Sequence, residues 1–204
     1  MIPDQVKKLV IATGNKNKLT EIKKILEGLS LEIKTIADFP GLEMPEEDRP
    51  TFRGNAAKKA ETVSAFSGEM ALADDSGLEV EALEGRPGVH SARYAGEEGD
   101  YAANNRLLLE ELWNIPPEKR GARFIAVIAI ALPGGETYFA SGVCHGRIAE
   151  TPRGSGGFGY DPLFVYEPTG QTFAEMPAAK KNMISHRARA LRQARELLGR
   201  LMDR

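Results

Sequence analysis

Four short stretches of this 204-residue chain carry residue types whose spacing suits chemistry. In Asp74-Asp75-Ser76-Gly77 two adjacent carboxylates end an apolar run. Burying an unpaired carboxylate is costly, so they are either solvated turn residues or part of a metal site. Hard oxygen ligands suit magnesium, which takes one or two carboxylates and leaves the rest of its shell to water and phosphates. Glu46, Glu47 and Asp48 offer a further ligand or simply a solvated acidic face. In Thr13-Gly14-Asn15-Lys16-Asn17-Lys18, backbone N–H groups, a helix N-terminus and the Lys18 ammonium would together cradle a phosphate. The same residues also read as a plain polar turn with a Thr or Asn helix cap. Lys18 is expected to be exposed there, so that its removal weakens anion binding and leaves the fold intact.

The third stretch, Gly154-Ser155-Gly156-Gly157-Phe158-Gly159, spells the dinucleotide fingerprint G-x-G-x-x-G in the wrong context. A true fingerprint follows the first strand and opens a helix, whereas this one lies late and runs into Tyr160-Asp161-Pro162. It reads as a loop presenting Phe158, Tyr160 and Asp161, either to stack on a base and read its edge or to anchor itself by buried aromatics. The fourth, Lys180-Lys181 with Ser185-His186-Arg187, sets basic and hydroxyl groups near a helix start, which fits an anion or a carbonyl-rich base. His90 and His145 have no partners nearby in sequence and read as structural. The Walker spacing is absent, and no serine sits in a nucleophile elbow.

The elements that must position these groups follow from periodicity. Leu9 to Ala12 reads as a strand feeding the first turn, and Leu19, Ile22, Ile25, Leu26 and Leu29 recur at helical spacing behind it. Leu31 to Ile36 reads as a second strand, and a loop from Phe39 to Pro50 follows. Phe52, Ala56, Ala60, Val63 and Phe66 then mark a helix closed by Gly68. Met70 to Ala73, with Leu78, Val80 and Ala82 alternating beyond, predicts a strand interrupted or kinked at the acidic corner. Asp100 caps a helix with Leu107, Leu108 and Leu112, which Pro116-Pro117 ends. Arg123 to Leu132 and Thr137 to Ala149 predict a long antiparallel hairpin turned at Pro133-Gly134-Gly135. One long helix is expected from about Ala178 to the C-terminus.

Composition narrows the classes. With 42% hydrophobic and 27% charged residues the chain is an ordinary globular protein, and a single domain over residues 1–204 is the expectation. A formal net charge of -2 gives no field suited to a polyanionic duplex, so nucleic acid is excluded as a partner. One cysteine, Cys144, permits no internal disulfide or cysteine zinc cluster, and a reducing cytoplasm is expected. No apolar run reaches the ~18 residues of a membrane span, and no signal peptide is read at the N-terminus.

Taken together the stretches resemble the Ham1 or inosine triphosphate pyrophosphatase family, the XTP/dITP diphosphatases. The matching pieces are ATGNKNKLTEI from Ala12, TFRGNAAKKA from Thr51, ADDSGLEV from Ala73, GVHSARYAG from Gly88, GFGYDPLF from Gly157 and ISHRARAL from Ile184. They stand in family order and span nearly the whole chain. The resemblance implies an elongated α/β fold, a mixed β-sheet with flanking helices forming two lobes around a central cleft, usually as a homodimer. It implies that Thr13, Gly14, Asn15, Lys16, Asn17 and Lys18 bind the triphosphate. Asp75 would be the catalytic carboxylate and, with Glu47, hold Mg2+. Ser76, Phe158, Gly159, Tyr160, Asp161, Lys181, His186 and Arg187 would bind substrate, with Phe158 and the His-Arg pair nearest the base. Asp74 is left between orienting Asp75 and holding metal through water.

The implied reaction is hydrolysis at the α-phosphorus of ITP, dITP or XTP, giving the nucleoside monophosphate and pyrophosphate and cleansing the nucleotide pool. Hypoxanthine and xanthine present a 6-carbonyl and an N1–H where adenine presents an amino group and a bare nitrogen. A pocket built around Arg187 and Asp161 would leave buried groups unpaired with adenine. A Maf-type pyrophosphatase preferring modified pyrimidines shares the general chemistry, but its distinguishing motifs are not read here. A non-catalytic nucleotide binder would be expected to lack the acidic site, and Asp74, Asp75 and Glu47 are all present.

Overall fold

The computed structural model describes residues 7 to 202; Met1 to Val6, Asp203 and Arg204 lie outside the described residues. Strand β1 (Lys7–Ile11) buries Leu9, Val10 and Ile11 and enters helix α1 (Lys16–Leu26), whose Ile22 and Leu26 point inward one turn apart. Strand β2 (Leu31–Thr35) runs parallel to β1, with Leu9 opposite Ile33. Helix α2 (Phe52–Ser67) is capped by Thr51, whose hydroxyl accepts the Gly54 N–H at 3.0 Å, and ends at Gly68 in the left-handed region. Strand β3 (Met70–Val80) then lies parallel to β1 on its other side. Helix α3 (Tyr101–Glu111), capped by Asp100, precedes β4 (Gly121–Ala131) and β5 (Thr137–Ile148). The turn between these last two closes with the Leu132 N–H donating to Glu136 O at 3.0 Å.

Short strands β6 (Phe164–Tyr166) and β7 (Gln171–Thr172) add antiparallel at the far edge, and helices α4 (Ala178–Ile184) and α5 (His186–Met202) end the chain. The strands are hydrogen-bonded in the order β2-β1-β3-β4-β5-β6-β7, a seven-stranded mixed sheet with flanking helices. None of the described helices is long and apolar enough to cross a membrane.

The contacts divide the chain into two compact units. The chain passes from one to the other at Asp75–Ser76, Ala126–Val127, Ser141–Gly142 and Arg187–Ala188. The first unit holds β1, β2, α1, α2 and the start of β3. One of its packed layers is built of small residues: Ala56, Ala60 and Val63 of α2 lie on Val10, Ala12, Ala71, Ala73, Ala129 and Ala131. Small side chains let the helix backbone approach the sheet closely. The second unit has an aromatic core in which Phe124 lies 4.5 Å from Phe164 and 5.8 Å from Phe173, ring centre to ring centre.

Three expectations need correction. Strand β3 is unbroken through the acidic corner, because its polar side chains find partners without leaving the ladder. Phe66 is half-exposed at 52%, since ten residues beyond Ala56 it stands about 80° round the helix from the buried face. The terminal helix is two helices: Ser185 takes an extended backbone (ψ 156°), a conformation and residue type suited to starting the next helix.

Candidate functional site

Asp75 sits in β3 on the same face as Ala71 and Ala73, the face covered by α2. The α2 residue that meets it is Lys59, three positions past Ala56 on the inward side and almost wholly buried. The Lys59 ammonium reaches Asp75 Oδ1 at 3.2 Å, Glu47 Oε1 at 2.5 Å and the Asp74 carbonyl oxygen at 2.8 Å. One turn of α2 also fixes the loop that brings Glu47 in. Asn55 Oδ1 accepts the Arg49 N–H at 2.9 Å, and the Lys58 ammonium donates to Glu46 O at 2.9 Å and pairs with Asp48 at 2.8 Å.

Burial alone would lower the Lys59 pKa, but the Asp75 and Glu47 carboxylates outweigh it and hold the pKa above the ordinary lysine value. Asp75 moves the other way. Burial pushes it up to about 6 although Lys59 pulls it down; Glu47 raises it and Lys18 lowers it by smaller amounts. Its Oδ2 is buried with no hydrogen-bond partner. A carboxylate oxygen left bare in the interior is a standing electrostatic demand for a cation or a donor.

Asp74, the neighbour in the strand, faces the opposite way, as strand alternation requires. Its Oδ1 pairs with the Lys18 ammonium at 2.6 Å. Lys18 is therefore not an exposed turn residue: it is the third residue of α1, and its side chain is only 17% exposed. The preceding turn is constructed as a cap. Thr13 Oγ1 accepts the Asn15 N–H at 3.1 Å, and Asn15 Oδ1 accepts those of Asn17 and Lys18 at 3.0 and 3.1 Å. Lys16 and Asn17 are exposed, and a Cβ at the exposed Gly14 would make only an ordinary contact, 3.9 Å from Ile36 Cδ1.

The second unit gathers the other group of residues. Phe158 is half-buried, its N–H donating to Asp161 Oδ2 at 2.8 Å. The same Oδ2 accepts from the buried Lys181 ammonium at 2.5 Å, and that ammonium lies 4.8 Å from the Phe158 ring centre. The Arg187 guanidinium is 5.5 Å from the same ring, and its Nη2 donates to Ser76 Oγ at 2.9 Å. His186 stacks on Phe124 at 4.6 Å. The turn is exacting at Gly157, where φ is 72° and an added Cβ would overlap the Asp161 carboxylate. The Gly159 carbonyl accepts from the Asn105 amide at 3.0 Å. Asp161 is thus engaged in holding its own loop. Tyr160 is a peg: it is only 4% exposed, its hydroxyl donates to Ser91 O at 2.9 Å, and burial pushes its phenol pKa up so that it stays a donor.

The expected residues therefore form two groups, Thr13 to Lys18 with Glu47 and Asp75 in the first unit, and Ser76, Phe158 to Asp161, Lys181, His186 and Arg187 in the second. Sequence reasoning missed Lys59, Asn55, Ser91 and Asn105 as parts of these groups. Lys59 left a signal, a lysine placed in phase with an alanine stripe. Ser91 and Asn105 left none, because only tertiary structure brings them to Tyr160 and Gly159.

The chain is similar to known proteins over nearly its whole length. Residues 9–197 match the family model of the Ham1 family. The chain is 53% identical to a dITP/XTP pyrophosphatase of Desulforamulus reducens, over 95% of this chain and 96% of that protein. It is 52% identical to one of Geobacter sulfurreducens, over 94% and 96%. A solved HAM1 protein from Coxiella burnetii superposes with a TM-score of 0.89 at 38% identity, covering 95% of this chain and 99% of that one.

Proposed function

The chain belongs to the Ham1 family, and from that premise we propose that it hydrolyses non-standard purine nucleoside triphosphates, dITP, XTP and ITP, to the monophosphate and pyrophosphate. The observation that carries the mechanism is Asp75: a buried carboxylate with one oxygen held by Lys59, the other bare, and a pKa raised to about 6. That is the profile of a general base, ionised at neutral pH yet basic enough to accept a proton.

The residues present fit magnesium. The bare Asp75 oxygen and the Glu47 carboxylate are hard donors gathered on one ammonium. Among the described residues no group of three or more His, Cys, Asp or Glu could hold an ion unaided. This suits an ion that takes one or two carboxylates and completes its shell with water and substrate phosphates. Glu47 and Asp75 would hold it, and when bound it neutralises phosphate charge and polarises the α-phosphoryl group.

Lys18 and the N-terminus of α1 bind the phosphates. Lys59 keeps Asp75 and Glu47 side by side, where two like charges would otherwise repel. Asp75 takes a proton from the attacking water as its oxygen bonds to the α-phosphorus; the bond to the bridging oxygen breaks, and pyrophosphate leaves. In the second group Phe158 stacks on the purine, held by the Asp161–Lys181 pair. Arg187, oriented by Ser76, donates to the 6-carbonyl with His186 beside it. Adenine offers a donor at that position and leaves the guanidinium unsatisfied. Homodimer assembly and a cytoplasmic site complete the reading; light scattering tests the first and fractionation the second.

The test is pyrophosphate release from ITP, dITP, XTP, ATP and a modified pyrimidine triphosphate, with magnesium and with chelator. Release confined to the non-standard purines and lost in chelator is expected. Orthophosphate release, or full activity in chelator, sinks the mechanism. Arg187→Ala should narrow the preference for ITP over ATP by roughly ten- to a hundredfold, and unchanged selectivity would move base recognition elsewhere.

A further inference from the structure

We propose that Asp74 is a positioning residue that holds Lys18 in place for the triphosphate, and that it takes no part in binding metal or activating water. The inference rests on the reading of Lys18 as a phosphate ligand. Sequence places Asp74 and Asp75 side by side, but β3 runs through both without a break, so their side chains leave opposite faces of the strand. Asp75 meets Lys59 of α2, and Asp74 meets Lys18 of α1. The Asp74 backbone carbonyl accepts from Lys59, and the charge of its carboxylate, on the other face, raises the pKa of both Lys59 and Asp75.

Two arrangements of the pair are conceivable when a polyanion arrives. Lys18 could swing off Asp74 onto the phosphates, in which case Asp74 competes with substrate. It could instead stay and bridge. Burial decides between them. The Asp74 side chain is 0% exposed against 17% for Lys18, so a departing ammonium would take its charge, now at 2.6 Å, away from a carboxylate wholly out of solvent, and separating a buried ion pair is costly. An ammonium has three donors, and the bond to Asp74 uses one. Lys18 therefore stays, pinned in one rotamer, and presents its remaining donors to the phosphates. A free lysine would lose its rotamer freedom on binding; one already pinned has little left to lose. Lys18 is also close enough to Asp75 to lower its pKa, which places the ammonium toward the same chemistry.

The experiment compares the wild type with Asp74→Asn, Lys18→Met and the double variant, by steady-state turnover of ITP, by calorimetric binding of inorganic pyrophosphate, and by thermal melting. Asp74→Asn should raise KM and weaken pyrophosphate binding by roughly tenfold, change kcat by less than about threefold, and leave the magnesium concentration for half-activity where it was. The double variant should bind no worse than Lys18→Met, because Asp74 acts through Lys18. Each single variant should melt lower than the wild type, and the double should recover part of the loss, since it removes both charges.

A fall in kcat with a shifted magnesium requirement would place Asp74 at the metal and overturn the proposal. So would a lowered KM, which would mean that Asp74 competes with substrate, or losses that multiply in the double variant. Should Asp74→Asn alone fail to fold, the double against Lys18→Met decides by the same rule, equal affinity supporting and further loss overturning. Lys18→Met binding pyrophosphate as the wild type does would overturn the phosphate role of Lys18 and this inference with it. Multiplying losses on a weakened Lys18→Met would overturn this inference alone.

Discussion

Asp75→Asn should abolish turnover and, in the absence of divalent cations, make the protein more stable at neutral pH. Burial raises the Asp75 pKa from 3.8 to about 6. The unfolded chain releases this proton near the lower value and the folded protein near the higher one. Between them the folded state holds the extra proton, so its stability falls as pH rises through that window. A shift of about two units at 1.36 kcal/mol each is a loss of about 3 kcal/mol, complete above pH 6 and absent well below pH 4. Asparagine does not titrate, and its carbonyl can still accept from Lys59, which keeps Glu47 and the Asp74 carbonyl as partners. The stability of the variant minus that of the wild type should therefore climb by about 3 kcal/mol as pH rises from below 4 to above 6 and level off on either side.

Urea unfolding in chelator at half-unit pH steps measures this, and the subtraction cancels groups that titrate alike in both proteins. A difference that is flat, or that falls with pH, would refute the claim that burial strains this carboxylate. Turnover should drop by roughly 10²–10⁴-fold, the range for loss of a general base. Magnesium should restore stability to the wild type and not to the variant.

Two further outcomes test the loop. Tyr160→Phe removes one hydrogen bond to Ser91 and should cost about 1 kcal/mol in urea unfolding, with a raised KM for ITP if the peg holds Phe158; an unchanged KM would make the peg purely structural. Gly157→Ala forces a Cβ onto the Asp161 carboxylate at a positive φ, and should abolish nucleotide binding while far-UV circular dichroism stays that of the folded protein; normal binding would mean that the turn is not the base platform.

Most of the elements were legible because local rules act alone in them. Periodicity marked α1 and α2, Gly68 closed α2, and Pro133-Gly134-Gly135 turned β4 into β5. Local rules failed where a distant partner decides. The acidic corner reads as a kink because two carboxylates in a strand are unfavourable alone; Lys18 and Lys59, from two different helices, make it regular. Reading a kink in turn hid the alternation that sets Asp74 and Asp75 on opposite faces. Helical period carries on across Ser185, so nothing in the spacing of apolar residues announces the break between α4 and α5. Lys18 looked exposed for the same reason, as a lysine at a turn usually is, until the Asp74 carboxylate is seen beneath it.

Charge ties the first group together. Glu47, Asp74 and Asp75 face Lys18 and Lys59, one carboxylate more than there are ammoniums, and yet this is where a triphosphate is proposed to bind. With all five ionised the group repels a polyanion, and two relief routes are visible in the structure. One is protonation of Asp75, which its raised pKa makes easy but which would disable the base. The other is a cation near the bare Asp75 oxygen, which would cancel the excess and leave the carboxylate ionised. Only the second route admits the substrate and keeps the chemistry. The proposed need for magnesium would then rest on this chain's own charges as well as on the phosphates it would meet.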